Sequence, residues 1–188
     1  MKTRMLLCAL LILFVSPTLA QWTQGDEPLS EEPWRKAVGD FGAMLLLTAK
    51  PGEFLAGWGK SSDVAPIELA ARAPRGVPIV AFVVFSGCAP DAEALCNTTV
   101  DFKVFKPDGT VYGEFTGMEL WQNKPLPPTR TLHLGEGFAR TVIEPEDPLG
   151  FYGVEAIVRD LNAGVSVFLR QEFEAVDGAP EKREDPEE

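Results

Sequence analysis

Apolar side chains recurring at every second position constrain this chain more than any other feature. In Thr98–Lys106, Val100, Phe102 and Val104 alternate with Asp101, Lys103 and Phe105, and Pro107-Asp108-Gly109 then supplies turn chemistry. Tyr152, Val154, Ala156 and Val158 alternate with Gly153, Glu155, Ile157 and Arg159. After the turn Asp160–Gly164, Val165, Val167 and Leu169 alternate with Ser166, Phe168 and Arg170, which predicts a hairpin. Successive side chains of a strand point to opposite faces, so each segment must bury one face and wet the other. Val77–Phe85 is apolar on both faces, the pattern of a central strand whose second side is covered or meets a partner. Gly42–Thr48, Thr110–Phe115, Thr131–Leu134 and Ala139–Ile143 are weaker strand candidates. Ala65–Ala73, punctuated by Pro66 and Pro74, reads as a brief helix or an extended edge. No helical periodicity outlasts two turns and no long repeat is visible. Seven or eight short strands with regularly spaced turns predict an all-β fold, a two-sheet antiparallel sandwich.

The ends differ from this middle. Lys2 and Arg4 precede an apolar run from Met5 to Val15 and small residues near Ala20, the order of a secretory signal peptide over residues 1–20. The run is about half the roughly 20 residues that span hydrocarbon, so no membrane anchor is expected after cleavage. Residues 21–36 are polar and acidic, 177–188 likewise, and both are expected to be flexible around a sandwich domain at 37–176. Removing Lys2 and Arg4 leaves 15 basic against 28 acidic residues, a net charge of −13 in place of −11. Such a field repels nucleic acid and anionic membrane surfaces.

Cys8 leaves with the leader, so Cys88 and Cys96 remain as a pair in an oxidising compartment. Closing that loop would stabilise the fold by roughly 2.6 kcal/mol in the chain-entropy model. A metal site needs two further ligands, and the chain offers only His133 besides carboxylates; a redox pair has tighter spacing. A short intra-domain disulfide is expected, with free thiols as the alternative, and no cofactor.

The segment Asp147–Asp160, DPLGFYGVEAIVRD, resembles the corner before strand F of immunoglobulin-like domains, as found in bacterial sandwiches of that superfamily. The resemblance implies that Tyr152 is a corner tyrosine bonded back to nearby backbone. Val154 stands where an antibody domain carries its second cysteine, so the inter-sheet disulfide of that family is absent. The resemblance bears on architecture alone and implies adhesion, partner binding or scaffolding rather than a reaction.

Candidate functional residues follow from this frame. Strands C, F and G are neighbours in an immunoglobulin-like arrangement, which places Phe105, Ile157 and Phe168 on one outward surface among Asp101, Lys103, Glu155, Arg159 and Arg170. Apolar residues ringed by mixed charge suit a protein interface, unless Phe41–Leu47 packs over them. Trp58 and Trp121 lie beside turn residues and could offer a sugar platform; Trp22 and Trp34 lie nearer the leader. Glu144, Glu146 and Asp147 are weak calcium candidates, without the spacing of a dedicated loop. His133 is the sole histidine and lacks partners for a catalytic triad. Asn97-Thr98-Thr99 is a glycosylation sequon that also reads as a turn residue leaving the cysteine loop. The chain therefore reads as a secreted or periplasmic, non-catalytic binding or accessory module that engages another cell-envelope protein through a sheet face or edge. A carbohydrate-binding module is the alternative, and a hydrolase using two carboxylates about 5–9.5 Å apart comes third.

Overall fold

The computed structural model describes residues 23–24, 27–28, 30–58, 72–128 and 131–178. The leader, the helix candidate up to Ala71 and the acidic tail from residue 179 lie outside the described residues. The elements run β1 Thr23–Gln24, β2 Glu27–Pro28, β3 Arg35–Val38, β4 Phe41–Thr48, α1 Pro51–Gly57, β5 Arg72–Pro74, β6 Pro78–Ser86, β7 Leu95–Phe105, β8 Val111–Pro125, β9 His133–Val142, β10 Gly150–Asp160 and β11 Val165–Val176. The fold is all-β with two main sheets. One sheet has the order β5-β11-β10-β7-β8 and the other β3-β4-β6-β9, while β1 and β2 pair with each other. The β5–β11 pairing is parallel.

The alternation read from the sequence sorts side chains between the sheets. Val100, Phe102 and Val104 of β7, Tyr152, Val154, Ala156 and Val158 of β10, and Val167, Leu169 and Phe173 of β11 point inward. They meet Phe41, Ala43, Leu45 and Leu47 of β4 and Ile79, Ala81, Val83 and Phe85 of β6. A large apolar side chain gains about 1.5–3 kcal/mol on burial, and a one-residue slip turns a whole strand's set to water, so this alternation fixes register. The far side of β6 is buried as well: Val80, Phe82 and Val84 are each under 4% exposed. Phe54 of α1 stacks on Phe82 with ring centroids 4.9 Å apart. Pro51 lies in the first turn of α1, where its missing N–H costs no hydrogen bond.

Three elements differ from expectation, each for a local reason. Thr131–Leu134 and Ala139–Ile143 were expected as separate strands; they are one strand, β9, which runs through Gly135-Glu136-Gly137 without a turn. Its glycines serve close packing instead. A Cβ on Gly137 would lie 2.7 Å from the Glu119 carbonyl oxygen, and one on Gly135 would meet the Leu120 side chain at 2.0 Å. The Thr110–Phe115 candidate is the start of the 15-residue β8. Four register shifts against β7 break its alternation, with Gly117 and Asn123 in the left-handed region. Residues up to 36 were expected to be flexible, yet Glu32 bridges Arg35, and β3 pairs with β4 from Arg35 onward. The Pro33 carbonyl accepts from Arg170 N–H at 2.8 Å, which joins this segment to the edge of β11.

The β8–β9 approach gives a stability prediction. Gly137→Ala should destabilise the fold by about 2 kcal/mol or more, because its methyl group meets backbone on the facing strand. Gly117→Ala, in open space, should lose only about 1 kcal/mol to backbone strain. Urea unfolding of the two variants compares them directly.

Candidate functional site

The outward positions of the five-stranded sheet form a continuous surface. Glu114, Lys103, Glu155 and Arg170 stand side by side across β8, β7, β10 and β11, since each is the register partner of the next. The next row carries Asp101, Ile157 and Phe168. The third carries Phe105, Gly153 and Glu172. Sequence periodicity named Phe105, Ile157, Phe168, Arg159 and Arg170, and the fold brings them onto one face. Phe41–Leu47 does not cover it, because β4 belongs to the opposite sheet and turns Phe41, Ala43, Leu45 and Leu47 toward the core.

Most charges of this face are paired among themselves. Lys103 meets Glu114 at 3.0 Å, Arg159 meets Asp101 at 2.7 Å, and Arg72 meets Glu174 at 2.8 Å. Arg170 reaches Glu172 at 2.9 Å and Glu155 at 3.6 Å. The hydrogen bond from Arg159 holds the Asp101 carboxyl below its usual range, helped by the Gly117 N–H, against the opposing effect of burial. Pairs this exposed add little stability. Their consequence is a surface of low net charge, on which Phe168 is 45% exposed. Lys36 lies 5.7 Å from the Phe168 ring centroid. Phe151, 61% exposed, belongs to the same outward parity and was missed. Extending the β10 alternation one residue before Tyr152 would have found it.

At one end of the sheets the acidic loop before β10 is a structural junction. Asp147 accepts from the Tyr112 hydroxyl at 2.5 Å, the Glu144 N–H at 3.0 Å and Lys106 Nζ at 3.3 Å. Arg75 donates to the Asp147 carbonyl. Tyr152 is buried, and its hydroxyl donates to the Pro148 carbonyl at 2.8 Å. These contacts engage within the fold the carboxylate of Asp147, one of the three weak calcium candidates beside Glu144 and Glu146. Both Asp147 oxygens are engaged, and among the described residues no group of three or more His, Cys, Asp or Glu is placed to hold a metal. Burial, then the bond to Asp147, pushes the Tyr112 phenol well above its ordinary value.

At the other end, Cys88 and Cys96 bring their sulfurs to 2.04 Å. Their loop is also held by polar contacts. Asp160 is buried and accepts from the N–H groups of Ala89, Asn162 and Ala163. The Asn162 side-chain amide donates to the carbonyls of Ala89 and Leu95. The Asn97 amide nitrogen donates to Asp91 at 3.0 Å and to Asn162 at 3.3 Å, so the sequon nitrogen is occupied within the fold.

Trp121 does not present an open platform. It packs against the core, its Nε1 donates to the Pro125 carbonyl at 3.2 Å, and Lys124 lies 4.8 Å over its ring. His133 sits beside it, ring centroids 5.9 Å apart, with its pKa lowered by burial. Trp58 ends α1 on the opposite sheet, where it continues an aromatic run: Trp58 to Phe54 is 5.6 Å, and Phe82 to Phe138 is 5.7 Å. That run depends on a helix that no sequence periodicity announced. Among the described residues no helix is long and apolar enough to cross a membrane.

No family model matches the chain, and no curated protein matches it. Among solved structures it is similar to a Pseudomonas fluorescens alkylpurine DNA glycosylase, AlkC, bound to DNA containing an abasic site analogue. Identity is 16% and the TM-score 0.39, over 72% of this chain and 30% of that one. It is also similar to a family 123 glycoside hydrolase from Clostridium perfringens, studied for glycolipid glycan hydrolysis, at 9% identity and a TM-score of 0.38, over 72% of this chain and 27% of that one. The chain thus spans less than a third of either. Both are enzymes, which corrects the expectation of a non-enzyme: a likeness of this kind includes catalytic proteins, and that exclusion is withdrawn. A likeness this low brings neither activity to this chain.

The Asp147 junction predicts a pH dependence. The Tyr112 hydrogen bond chiefly holds its carboxyl below 3.8, with the Glu144 N–H and Lys106 adding to this and burial opposing it. A carboxyl depressed in the folded state stabilises above its unfolded value, and that contribution disappears as pH falls through the folded value. Tyr112→Phe should therefore lower stability by about 1–2 kcal/mol near pH 7. The gap from wild type should narrow steadily once pH drops below 3.8. Urea titrations across this range measure both quantities.

Proposed function

We propose that this chain is an exported binding module of immunoglobulin-like architecture that engages another protein of the cell envelope through the outer face of its five-stranded sheet. The carrying observation is that face itself: Phe105, Phe151, Ile157 and Phe168 stand among charges most of which are already paired with one another. A partner can cover such a surface while stripping water from few unpaired ions, a cost that commonly limits buried charge. Mutual neighbouring of β7, β10 and β11, together with a short β5 running parallel to β11, supports the immunoglobulin-like reading. A face is favoured over an edge as the contact. Bulges interrupt β8, β5 and β3 are only three and four residues long, and glycine packing brings β9 against β8.

The Cys88–Cys96 pair is proposed as a structural staple, supported by the leader-like residues 1–20 and by the pair of cysteines left once Cys8 is removed with them. Intact mass under non-reducing conditions should give a chain beginning at Gln21 and two hydrogens lighter than its reduced form. A thiol-reactive product would remove the staple from this reading.

A photo-crosslinking side chain at position 168 tests the interface. It should capture protein in native envelope extract, and Ile157→Asp should suppress that capture without altering the fold by circular dichroism. The aromatic run from Trp58 to Phe138 favours the carbohydrate alternative: a tryptophan fluorescence response to glycans, lost in Trp58→Ala, would transfer the assignment to the other sheet.

A further inference from the structure

Reversing an alternating row of four charges gives its own complement. Glu114, Lys103, Glu155 and Arg170 form such a row, negative, positive, negative, positive, on four adjacent strands. Place a two-fold axis parallel to the strands, in the plane of contact and midway between β7 and β10. The rotated copy then presents the same row in reverse. Glu114 faces the second copy's Arg170, Lys103 faces its Glu155, and the other two contacts repeat these by symmetry. A two-fold interface requires a surface complementary to itself in this way.

In the neighbouring row the same operation sets Asp101, held by Arg159, opposite Ile157 of the second copy. Phe168 of one copy comes over the β8 bulge of the other at Gly117, which lies opposite Asp101 and donates its N–H to that carboxylate. A Cβ there would meet nothing within 4 Å, so the exposed ring has room. Long-range charge points the same way. The outward charges of this sheet, with Glu119 and Lys36 included, come to five cations and six carboxylates, one net negative against −11 for the whole chain. Two copies repel through the rest of their surfaces and are least opposed when these faces meet.

We propose that the partner of this face is a second copy of the chain, docked about that two-fold axis. The proposal rests on reading the face as an interface and places a second copy there in place of a different envelope protein.

Sedimentation equilibrium of the purified chain tests it. The expected result is a concentration-dependent dimer, with a dissociation constant of about micromolar order for a flat face of this kind. Lys103→Glu and Glu155→Lys each set like charges against each other twice across the axis and should weaken the dimer about tenfold. The double variant restores complementarity and should return to within about threefold of wild type. Phe168→Glu should yield monomer, whereas Phe138→Glu on the opposite sheet should leave the dimer intact. A dimer lost in Phe138→Glu but kept in Phe168→Glu overturns the proposal, as does a double charge variant no better than the singles. A chain monomeric at high concentration whose position 168 still crosslinks a different protein also overturns self-pairing, while the binding face stands. A monomer with no capture at position 168 removes both.

Discussion

Strand β10 is the constraint on which the rest of the structure depends. It pairs with β7 on one side and β11 on the other, and its residues alternate without interruption from Tyr152 to Asp160. Its inward set, Tyr152 to Val158, stands at the centre of the apolar layer between the sheets. Its outward set places Glu155, Ile157 and Arg159 in the middle of the charged face. One backbone register therefore determines both the core and the candidate interface. A slip of one residue would carry Glu155 and Arg159 into the core, where unpaired charge costs several kcal/mol.

The two sheets are tied together by contacts that differ in kind. Along one side, Gly135 and Gly137 let β9 approach β8 more closely than any side chain would allow. Along the other, β11 meets the segment before β3 through backbone hydrogen bonding at Pro33. At the ends, the junctions centred on Asp147 and Asp160 satisfy buried polar groups with backbone and phenol partners, as low-dielectric surroundings require. Both carboxylates lie at turns flanking β10, so the polar ends and the apolar middle reinforce the same strand placement.

How much of this was legible in the sequence depended on whether local pattern or tertiary contact set the residue choice. Strands β7, β10 and β11 have one wet and one dry face, and period two exposed them together with Phe105, Ile157 and Phe168. Strand β6 is dry on both faces, and its continuous apolar run gave it away as well. Strand β9 was split because Gly135 and Gly137 look like turn residues when the facing β8 backbone is unknown. Strand β8 was cut short because bulges at Gly117 and Asn123 reset its alternation. The helix α1 is too short to establish a period, so the Phe54–Phe82 stack was invisible. Asp147 looked like a cation ligand because its partner Tyr112 lies 35 residues away and only the fold brings them together.

The central claim is that β10 lies between β7 and β11 and anchors both layers. Amide hydrogen exchange followed residue by residue under native conditions tests it most directly. The account predicts that the amides of Val154 to Val158 exchange only through global unfolding, with free energies matching the denaturant value, while Glu114 to Gly117 on the bulged edge exchange far faster. Exchange in β10 as fast as in that edge would contradict the account.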